Sequence, residues 1–276
     1  IAEGSKGLRS IQRKGSNSFE ALNEPIILDG PYSNSAFDIV CKNDKVYMII
    51  GGKDLLNGKR CDKGGYILTY DYDKWSFIDP KEAQKKLNLP RNPRDYTSIA
   101  VTTDDSNDEI VYASSMGDGV IQYKNGTPVQ SYNEKNAFKE TAGGYGSGYC
   151  YIDGLAFDKN GNLWMTSSAV NHAVLVLDKA GAWHRLDIEQ LRGVYTINDI
   201  LITSTNDKWI YVPRNTPKLV MIPNSESLDE VSSYEFTTLI DTDGKELTPS
   251  NYTCVAEDKD GYIWVGTNRG AVYFTK

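Results

Sequence analysis

The sequence predicts an all-β fold, a β-propeller of four-stranded antiparallel blades. A short unit of strand, polar turn and strand recurs along the 276 residues, and an aromatic residue follows each turn. Eighteen Tyr and five Trp also fit short alternating strands. A supersecondary unit repeated every ~40–60 residues is typical of propellers and solenoids, because each small sheet buries its faces only against its neighbours.

Two copies of the unit are nearly identical, Asp158–Thr166 and Asp258–Gly266. In both, Asp opens the turn by accepting hydrogen bonds from backbone N–H groups, and Gly supplies a positive φ. Three weaker copies keep the order of the pieces, namely Asn43–Tyr47, Asp104–Tyr112 and Asn206–Tyr211. The aromatic residues after the five turns are Tyr47, Tyr112, Trp164, Tyr211 and Trp264.

Alignment of the first strands puts one residue of each unit in a column, in the order Asp38, Ser98, Gly154, Asp199 and Cys254. Third strands are predicted at Tyr66–Tyr70, Gly119–Tyr123, Ala173–Leu177, Lys218–Ile222 and Gly270–Phe274. Fourth strands are predicted at Trp75–Ile78, Pro128–Tyr132, Trp183–Leu186 and Tyr234–Thr238. A helix-like insert at Pro80–Leu89 interrupts the pattern once.

The fifth unit ends after its third strand, and the N-terminal segments Gly7–Ile11 and Ser18–Leu22 resemble a third and a fourth strand. Propellers commonly close when one terminus completes the blade begun by the other. We therefore expect a single domain over residues 1–276, with five blades and an N-terminal strand completing the last. Third-strand candidates outnumber first strands, so the alternative is a fragment of a propeller with six or more blades.

The composition disfavours several classes of protein. A net charge of −7 disfavours nucleic-acid binding, which needs a basic surface. The absence of an 18-residue apolar run predicts no membrane insertion. The four cysteines lack CxxC spacing, so we expect four free thiols, with Cys41 and Cys254 buried on first strands.

Catalytic signatures are scarce. The two histidines, His172 and His184, have no evident carboxylate partner in the sequence, and no nucleophile elbow, zinc motif or P-loop is present. We therefore expect no enzyme, no cofactor and no metal site. The alternative is a divalent ion held at the channel mouth by Asp38, Asp153 and Asp199, since oxygen ligands suit such ions.

Tyrosine-rich connections between blades are the best candidates for a binding site. Connections from a fourth strand to the next first strand all emerge on one face of a propeller. Amphipathic rings there suit a protein or carbohydrate ligand. The predicted ligand-binding residues are Tyr145, Tyr149, Tyr96, Arg94 and Tyr195.

Two segments carry a family resemblance. Val255–Val272 resembles the two-component-regulator propeller repeat, typical of sensor ectodomains in hybrid regulators of Bacteroidetes. Ala36–Gly52, with Gly64–Tyr66 and Trp75, looks more like the propellers of a surface factor of the Por (type IX) secretion system. The resemblance implies a non-enzymatic recognition or sensing module in the periplasm or at the cell surface.

Gly161–Thr166 is also similar to a strand of streptogramin-lyase-type propellers. That similarity implies the alternative function, a lyase-like or lactonase-like enzyme with a divalent metal at the channel mouth. Those enzymes use several histidines and acids, whereas this chain has two histidines.

Overall fold

A computed structural model describes residues 9–22, 24, 30–33, 35–54, 58–138 and 148–274. An N-terminal hairpin of β1 (Ile11–Arg13) and β2 (Phe19–Ala21) precedes five successive antiparallel sheets, called blades 1 to 5. Blade 1 comprises β3 (Ala36–Lys42), β4 (Lys45–Ile50), β5 (Ile67–Asp71) and β6 (Lys74–Ile78). Blade 2 comprises β7 (Tyr96–Thr103), β8 (Glu109–Gly117), β9 (Gly119–Lys124) and β10 (Thr127–Tyr132).

The remaining blades follow the same order. Blade 3 comprises β11 (Cys150–Phe157), β12 (Leu163–Ser167), β13 (Val174–Leu177) and β14 (Trp183–Leu186). Blade 4 comprises β15 (Ile200–Ile202), β16 (Lys208–Val212), β17 (Lys218–Ile222) and β18 (Tyr234–Phe236). After a short hairpin of β19 (Leu239–Ile240) and β20 (Glu246–Leu247), blade 5 comprises β21 (Tyr252–Glu257), β22 (Ile263–Thr267) and β23 (Gly270–Phe274).

The predicted turn chemistry is present in both clear copies of the unit. The Asp158 carboxylate accepts hydrogen bonds from the backbone N–H of Asn160 and Asn162, and Gly161 has a φ of 84°. Its second oxygen accepts the indole N–H of Trp164 at 2.9 Å. Asp258 repeats these bonds in blade 5 and accepts the indole N–H of Trp264 at 2.7 Å. Each turn therefore also positions the aromatic ring that follows it.

One of the five predicted aromatic positions is wrong. In blade 4 the residue opposite Leu201 is Trp209, just as Trp164 lies opposite Ala156 in blade 3. Tyr211 lies two residues further along the same strand. The blade 4 turn has the same length as those of blades 2, 3 and 5, but Thr203 stands where they carry Asp, so alignment on Asn206 and Asp207 places the aromatic residue two positions too late. The aromatic column is therefore Tyr47, Tyr112, Trp164, Trp209 and Trp264.

The core consists of apolar layers between consecutive blades. Tyr47 lies between blades 1 and 2, Tyr112 between blades 2 and 3, and Trp164 between blades 3 and 4. Trp209 lies between blades 4 and 5. Blades 2 and 3 are in addition joined into one sheet, since Met116 and Gly117 pair with the start of β11. Aromatic side chains bury large areas, so these layers dominate the stability of the fold.

A helix, α1 (Pro80–Lys86), occupies the predicted insert between blades 1 and 2. Asp79 caps it by accepting the backbone N–H of Lys81, and Pro80 suits the first turn, where no intrahelical N–H bond is needed. The helix ends before the predicted boundary at Leu89. No helix in the described ranges has the length and apolarity needed to cross a membrane.

The predicted closure stays a prediction. Among the described residues, β1 and β2 pair only with each other, and β23 is the outermost strand of its sheet. Part of the predicted strand Gly7–Ile11 lies outside the described residues. The number of blades in the complete ring likewise stays a prediction.

All four cysteines are free thiols. The expectation that Cys41 and Cys254 are buried is wrong, because they lie on the outer faces of blades 1 and 5, which no further blade covers in the described structure. Cys150 begins β11 and is buried. Burial raises the pKa of the Cys150 thiol to about 12.

Candidate functional site

One end of the propeller carries the candidate site. In an antiparallel blade, the loop from the second to the third strand lies at the end where the first strand begins. The connections from each fourth strand to the next blade emerge at that end too. We call this end the junction face.

A pocket of about 180 Å³ lies on the junction face, room for roughly six water molecules. Its lining comes from blades 1 to 5. Loops between second and third strands contribute Lys53, Gly58, Ser168, Pro213 and Arg214. Connections between blades and the adjoining strand ends contribute Met116, Tyr151, Asp153, Tyr195, Thr196, Asn198, Asn251, Tyr252 and Thr253.

An ion pair crosses the inner end of this pocket. Lys53 Nζ lies 2.5 Å from Asp153 Oδ1, and the side chains are only 9% and 5% exposed. Lys53 also donates to the carbonyl of Ile197 at 3.1 Å. The Ser168 hydroxyl donates to the other oxygen of Asp153 and accepts the backbone N–H of Ile197. The pair links blade 1 directly to blade 3 and fixes the floor of the pocket.

The pocket is lined by one exposed ring, one buried tyrosine and one cation. Tyr195 is 65% exposed although it is a large ring. Tyr252 is fully buried, and its hydroxyl has no hydrogen-bond partner in the described structure. Burial raises the pKa of Tyr252 to about 12, so the hydroxyl stays protonated at neutral pH. The half-buried Arg214 adds a positive charge. Hydrogen-bond donors, an aromatic surface and a cation thus converge on one cavity.

Two of the predicted site residues lie at or beside the pocket. Tyr195 lines it. Tyr149 lies one ring away, because it packs edge-to-face on Tyr151, with ring centroids 5.1 Å apart. Its hydroxyl accepts a hydrogen bond from Arg60 at 2.5 Å, and the Arg60 guanidinium lies 5.5 Å from the ring centroid.

The other three predicted residues are elsewhere. Arg94 is exposed on the same face but outside the pocket lining, and its guanidinium lies 3.8 Å from Asp62. Tyr96 as a surface contact is a wrong prediction, because its ring is fully buried between blades 1 and 2 and its hydroxyl bonds Tyr123. Tyr145 lies outside the described residues.

Sequence reasoning missed the loop that follows β4. This loop contributes Lys53 and Gly58 to the pocket, and its Arg60 binds the buried carboxylate of Asp95 at 3.0 Å and also reaches Tyr149. The available signal was the concentration of Lys, Arg and Gly, which make up seven of the thirteen residues of Lys53–Gly65.

The three candidate metal ligands have other partners. Asp153 is paired with Lys53. Asp38 accepts the backbone N–H of Ile99 in the next blade and the Ser98 hydroxyl. Asp199 accepts its neighbour's backbone N–H. Over the described ranges, no group of three His, Cys, Asp or Glu side chains is arranged to hold a metal ion.

Asp199 nevertheless has unusual electrostatics. It is accessible to water from the channel between the first strands, yet protein surrounds it. This enclosure and the nearby Asp38 carboxylate raise the pKa of Asp199 to about 7. The hydrogen bond from the Ile200 N–H and the charge of Lys53 lower the pKa, but by less. Enclosure also raises the pKa of Asp38.

His184 does have a carboxylate partner, contrary to the sequence expectation. Its Nε2 lies 2.9 Å from Asp178, and this bond raises the pKa of the imidazole. The pair lies at the edge of blade 3, away from the pocket. The bond joins the outer strand β14 to the turn that precedes it.

Comparisons with known proteins agree with this architecture. Residues 246–269 match the family model of the two-component regulator propeller. No curated protein sequence matches the chain. The structure is similar to PorZ, an essential bacterial surface component of the type IX secretion system of Porphyromonas gingivalis, with a TM-score of 0.78 and 20% identity. The match covers 97% of this chain and 36% of PorZ.

Two further solved structures are similar. One is the extracellular domain of a proposed hybrid two-component system from B. thetaiotaomicron, with a TM-score of 0.50 and 14% identity, covering 86% of this chain and 27% of that one. The other is a proposed 6-phosphogluconolactonase from Bacteroides uniformis, with a TM-score of 0.53 and 11% identity. The match covers 99% of this chain and 75% of that one.

These findings confirm the predicted fold class and resemblance. The chain has an all-β propeller fold and carries a two-component-regulator propeller repeat. It spans roughly a third of the length of PorZ and of the sensor domain. At these identities the structural likeness shows the fold alone.

Proposed function

We propose that this propeller is a non-enzymatic recognition or sensing module that acts in the periplasm or at the cell surface. Its ligand is a protein or a carbohydrate, bound at the junction face. The observation that carries the proposal is the pocket itself, which is lined by the exposed residue Tyr195 together with polar and charged residues.

The chemistry of the pocket supports recognition of an amphipathic group. A tyrosine ring offers flat apolar area at a low cost in side-chain entropy, together with a hydroxyl for hydrogen bonding. Asn198, Asn251 and Thr253 add amide and hydroxyl groups around it. A sugar ring or a polar side chain of a protein partner has the matching combination of apolar faces and hydrogen-bonding edges.

The location is supported by the similar structures. PorZ is a bacterial surface component, and the sensor domain is extracellular. Tyr149 and Arg94 lie on the same face of the propeller and are proposed as additional contacts beyond the pocket.

A binding screen tests the proposal. An array of bacterial polysaccharides and a surface-displayed random peptide library would be probed with the fluorescently labelled protein. A specific binder should lose affinity by a factor of ~5–150 when Tyr195 is replaced by Ala, as expected for an interface anchor worth ~1–3 kcal/mol.

Tyr72→Ala is the matched control, because Tyr72 is 69% exposed but lies in the β5–β6 turn at the opposite end of the blade. Binding that is unchanged in both Tyr195→Ala and Arg214→Ala would overturn the assignment of this pocket.

A further inference from the structure

The connection between the third and fourth strands of blade 4 is much longer than its equivalents. It comprises the 11 residues 223–233, between the end of β17 and the start of β18. The same connection has two residues in blades 1 and 2 and five in blade 3. Two residues are enough to reverse an antiparallel pair of strands, so the turn by itself does not need the extra length. We call residues 223–233 the strap.

The strap packs against the layer between blades 3 and 4. Its Leu228 and Val231 are half-buried and contact the apolar cluster that contains Trp164. On the side of blade 3, the residues Trp164, Val176 and His184 form one cross-strand row, so His184 stands at the outer end of that row. His184 and residues of the strap line the same groove, which has a volume of about 550 Å³.

His184 lies between two carboxylates that belong to different blades. Its Nε2 lies 2.9 Å from Asp178 Oδ2 in the turn of its own blade, and its Nδ1 lies 3.5 Å from Asp229 Oδ1 in the strap. Asp178 is held in the turn because it accepts the backbone N–H of Ala182 at 2.8 Å. A neutral imidazole has one N–H and one lone pair, whereas the charged ring donates from both nitrogens. Only the charged ring can therefore bond both carboxylates at once.

The other charged residues at the groove are mostly acidic. Those that line it besides His184 are Asp158, Asp178, Lys179, Glu226 and Asp229. Lys179 is 69% exposed and lies 3.5 Å from Asp105 of blade 2, so its charge is shared with a different blade. The strap itself contains no Lys or Arg. When His184 is neutral, acids of the strap therefore face acids of blade 3, and like charges repel.

We propose that the strap is a pH-dependent latch, which is closed on blade 3 when His184 is protonated and released when His184 loses its proton. The bond to Asp178 and, by less, the contact with Asp229 raise the pKa of His184 above its ordinary value of 6.5, against the opposing effect of burial. The latch is therefore fully closed below about pH 6.5 and opens as the pH rises through the raised pKa. Release breaks the longer contact, with Asp229, and leaves Asp178 bonded. The proposal is independent of the ligand at the junction face, because the groove does not share a residue with that pocket.

Proton NMR of the imidazole rings gives the first test. The chain has two histidines, so the His184 signal is assigned by its loss in His184→Gln. Its titration midpoint should lie above pH 6.5 in the wild type. The midpoint should fall in Asp229→Asn, because this change removes one carboxylate from the ring. Glu226→Gln is the matched control, since Glu226 is an acid of the same strap that forms no ion pair with His184 in the described structure.

Backbone order of the strap gives the second test. Carbon-13 relaxation at the Cα atoms of residues 228–231 measures this order, and it is insensitive to the exchange of amide protons with water at alkaline pH. The order parameters should be about 0.85 at pH 5.5 and below about 0.6 at pH 8.5. In His184→Gln they should be the same at both pH values, because Gln does not titrate. Asp199→Asn, which removes a second group that titrates near neutral pH, should keep the wild-type change.

Either of two results would overturn the proposal. One is a wild-type strap that has the same order at both pH values. The other is a change of order that persists in His184→Gln, because a different group would then control the strap. Asp229 is 87% exposed, so Asp229→Asn should fold, which circular dichroism checks. That variant should also lose the pH dependence of the strap, and a full wild-type change in it would count against the latch in the same way.

Discussion

Single carboxylates organise the turns of this propeller. Asp158 and Asp258 accept equivalent backbone bonds and an indole N–H, yet Asp158 is buried between blades and Asp258 is not. A buried donor that loses its partner costs the full desolvation of that donor, whereas water replaces the partner of an exposed one. The same residue in the same turn thus contributes differently to stability.

Asp158→Ala should lower the free energy of unfolding by about 2–4 kcal/mol, and Asp258→Ala should lower it by much less. The first change leaves the buried Trp164 indole N–H without a partner. Urea denaturation of both variants measures the difference. Equal losses would show that the backbone bonds of the turn, which the two variants share, account for the whole effect.

The raised pKa of Asp199 predicts a pH dependence of stability. Its ordinary value is about 3.9, and in the folded protein it is about 7, so between these values the folded state holds the proton more tightly. The contribution of Asp199 to stability therefore falls as the pH rises from about 4 to 7.

Asp199→Asn should stabilise the protein at pH 8 by about 1–2 kcal/mol, after allowance for water in the channel, and change little at pH 4. The amide oxygen can still accept the Ile200 N–H. Denaturation at the two pH values measures this. Asp105→Asn, at a side chain 93% exposed, is the control, and an equal effect of both variants would contradict the assignment.

At the scale of the element, the inner strands of blades 3 and 4 approach closely at Gly154. A Cβ atom on this residue would lie 2.7 Å from the backbone nitrogen of Ile200 and 2.8 Å from the Asp199 carboxylate. Backbone atoms cannot move aside as a flexible side chain can. The first-strand column therefore holds Gly in blade 3, where the other blades carry Asp, Ser or Cys.

Gly154→Ala should destabilise the fold by about 1–3 kcal/mol, the usual range for overpacking. Gly30→Ala is the control, because a Cβ atom there meets no atom of the described residues within 4 Å. Thermal unfolding of the two variants checks the prediction. A Gly154 variant as stable as Gly30→Ala would show that blades 3 and 4 can separate slightly without loss.

At the scale of the molecule, the Lys53–Asp153 pair joins blades that are not neighbours. Each apolar layer joins one blade to the next blade along the chain. This ion pair instead joins blade 1 directly to blade 3. Removal of one partner leaves the other charge buried without compensation.

Lys53→Met should lower the free energy of unfolding by about 3 kcal/mol, while Arg192→Met, which breaks an exposed pair with Asp187, should change it far less. Adding Asp153→Asn to Lys53→Met should restore part of the loss, since no uncompensated charge remains. Urea denaturation of the four proteins measures the coupling. Equal costs for the two single variants would contradict a structural role for the cross-channel pair.

The strands, their turns and the order of the blades were predictable from the sequence, because they depend on neighbours within about ten residues. Asp158–Trp164 and Asp258–Trp264 show this directly, since both form the predicted turn. The register of blade 4 was not predictable from its turn residues alone, because Thr203 replaces the aspartate that marks the start of the turn, and strand pairing decided the position of Trp209.

The sequence by itself thus determined an all-β propeller of repeated blades, since turn chemistry and strand alternation are local. Only the tertiary structure decided which equivalent residues are covered, so that Trp164 is buried and Trp264 exposed. It also placed Tyr96 in the core and brought Lys53 to Asp153, 100 residues away along the chain. The physical reason is that burial and ion pairing depend on which blade packs against which, and no local pattern records that.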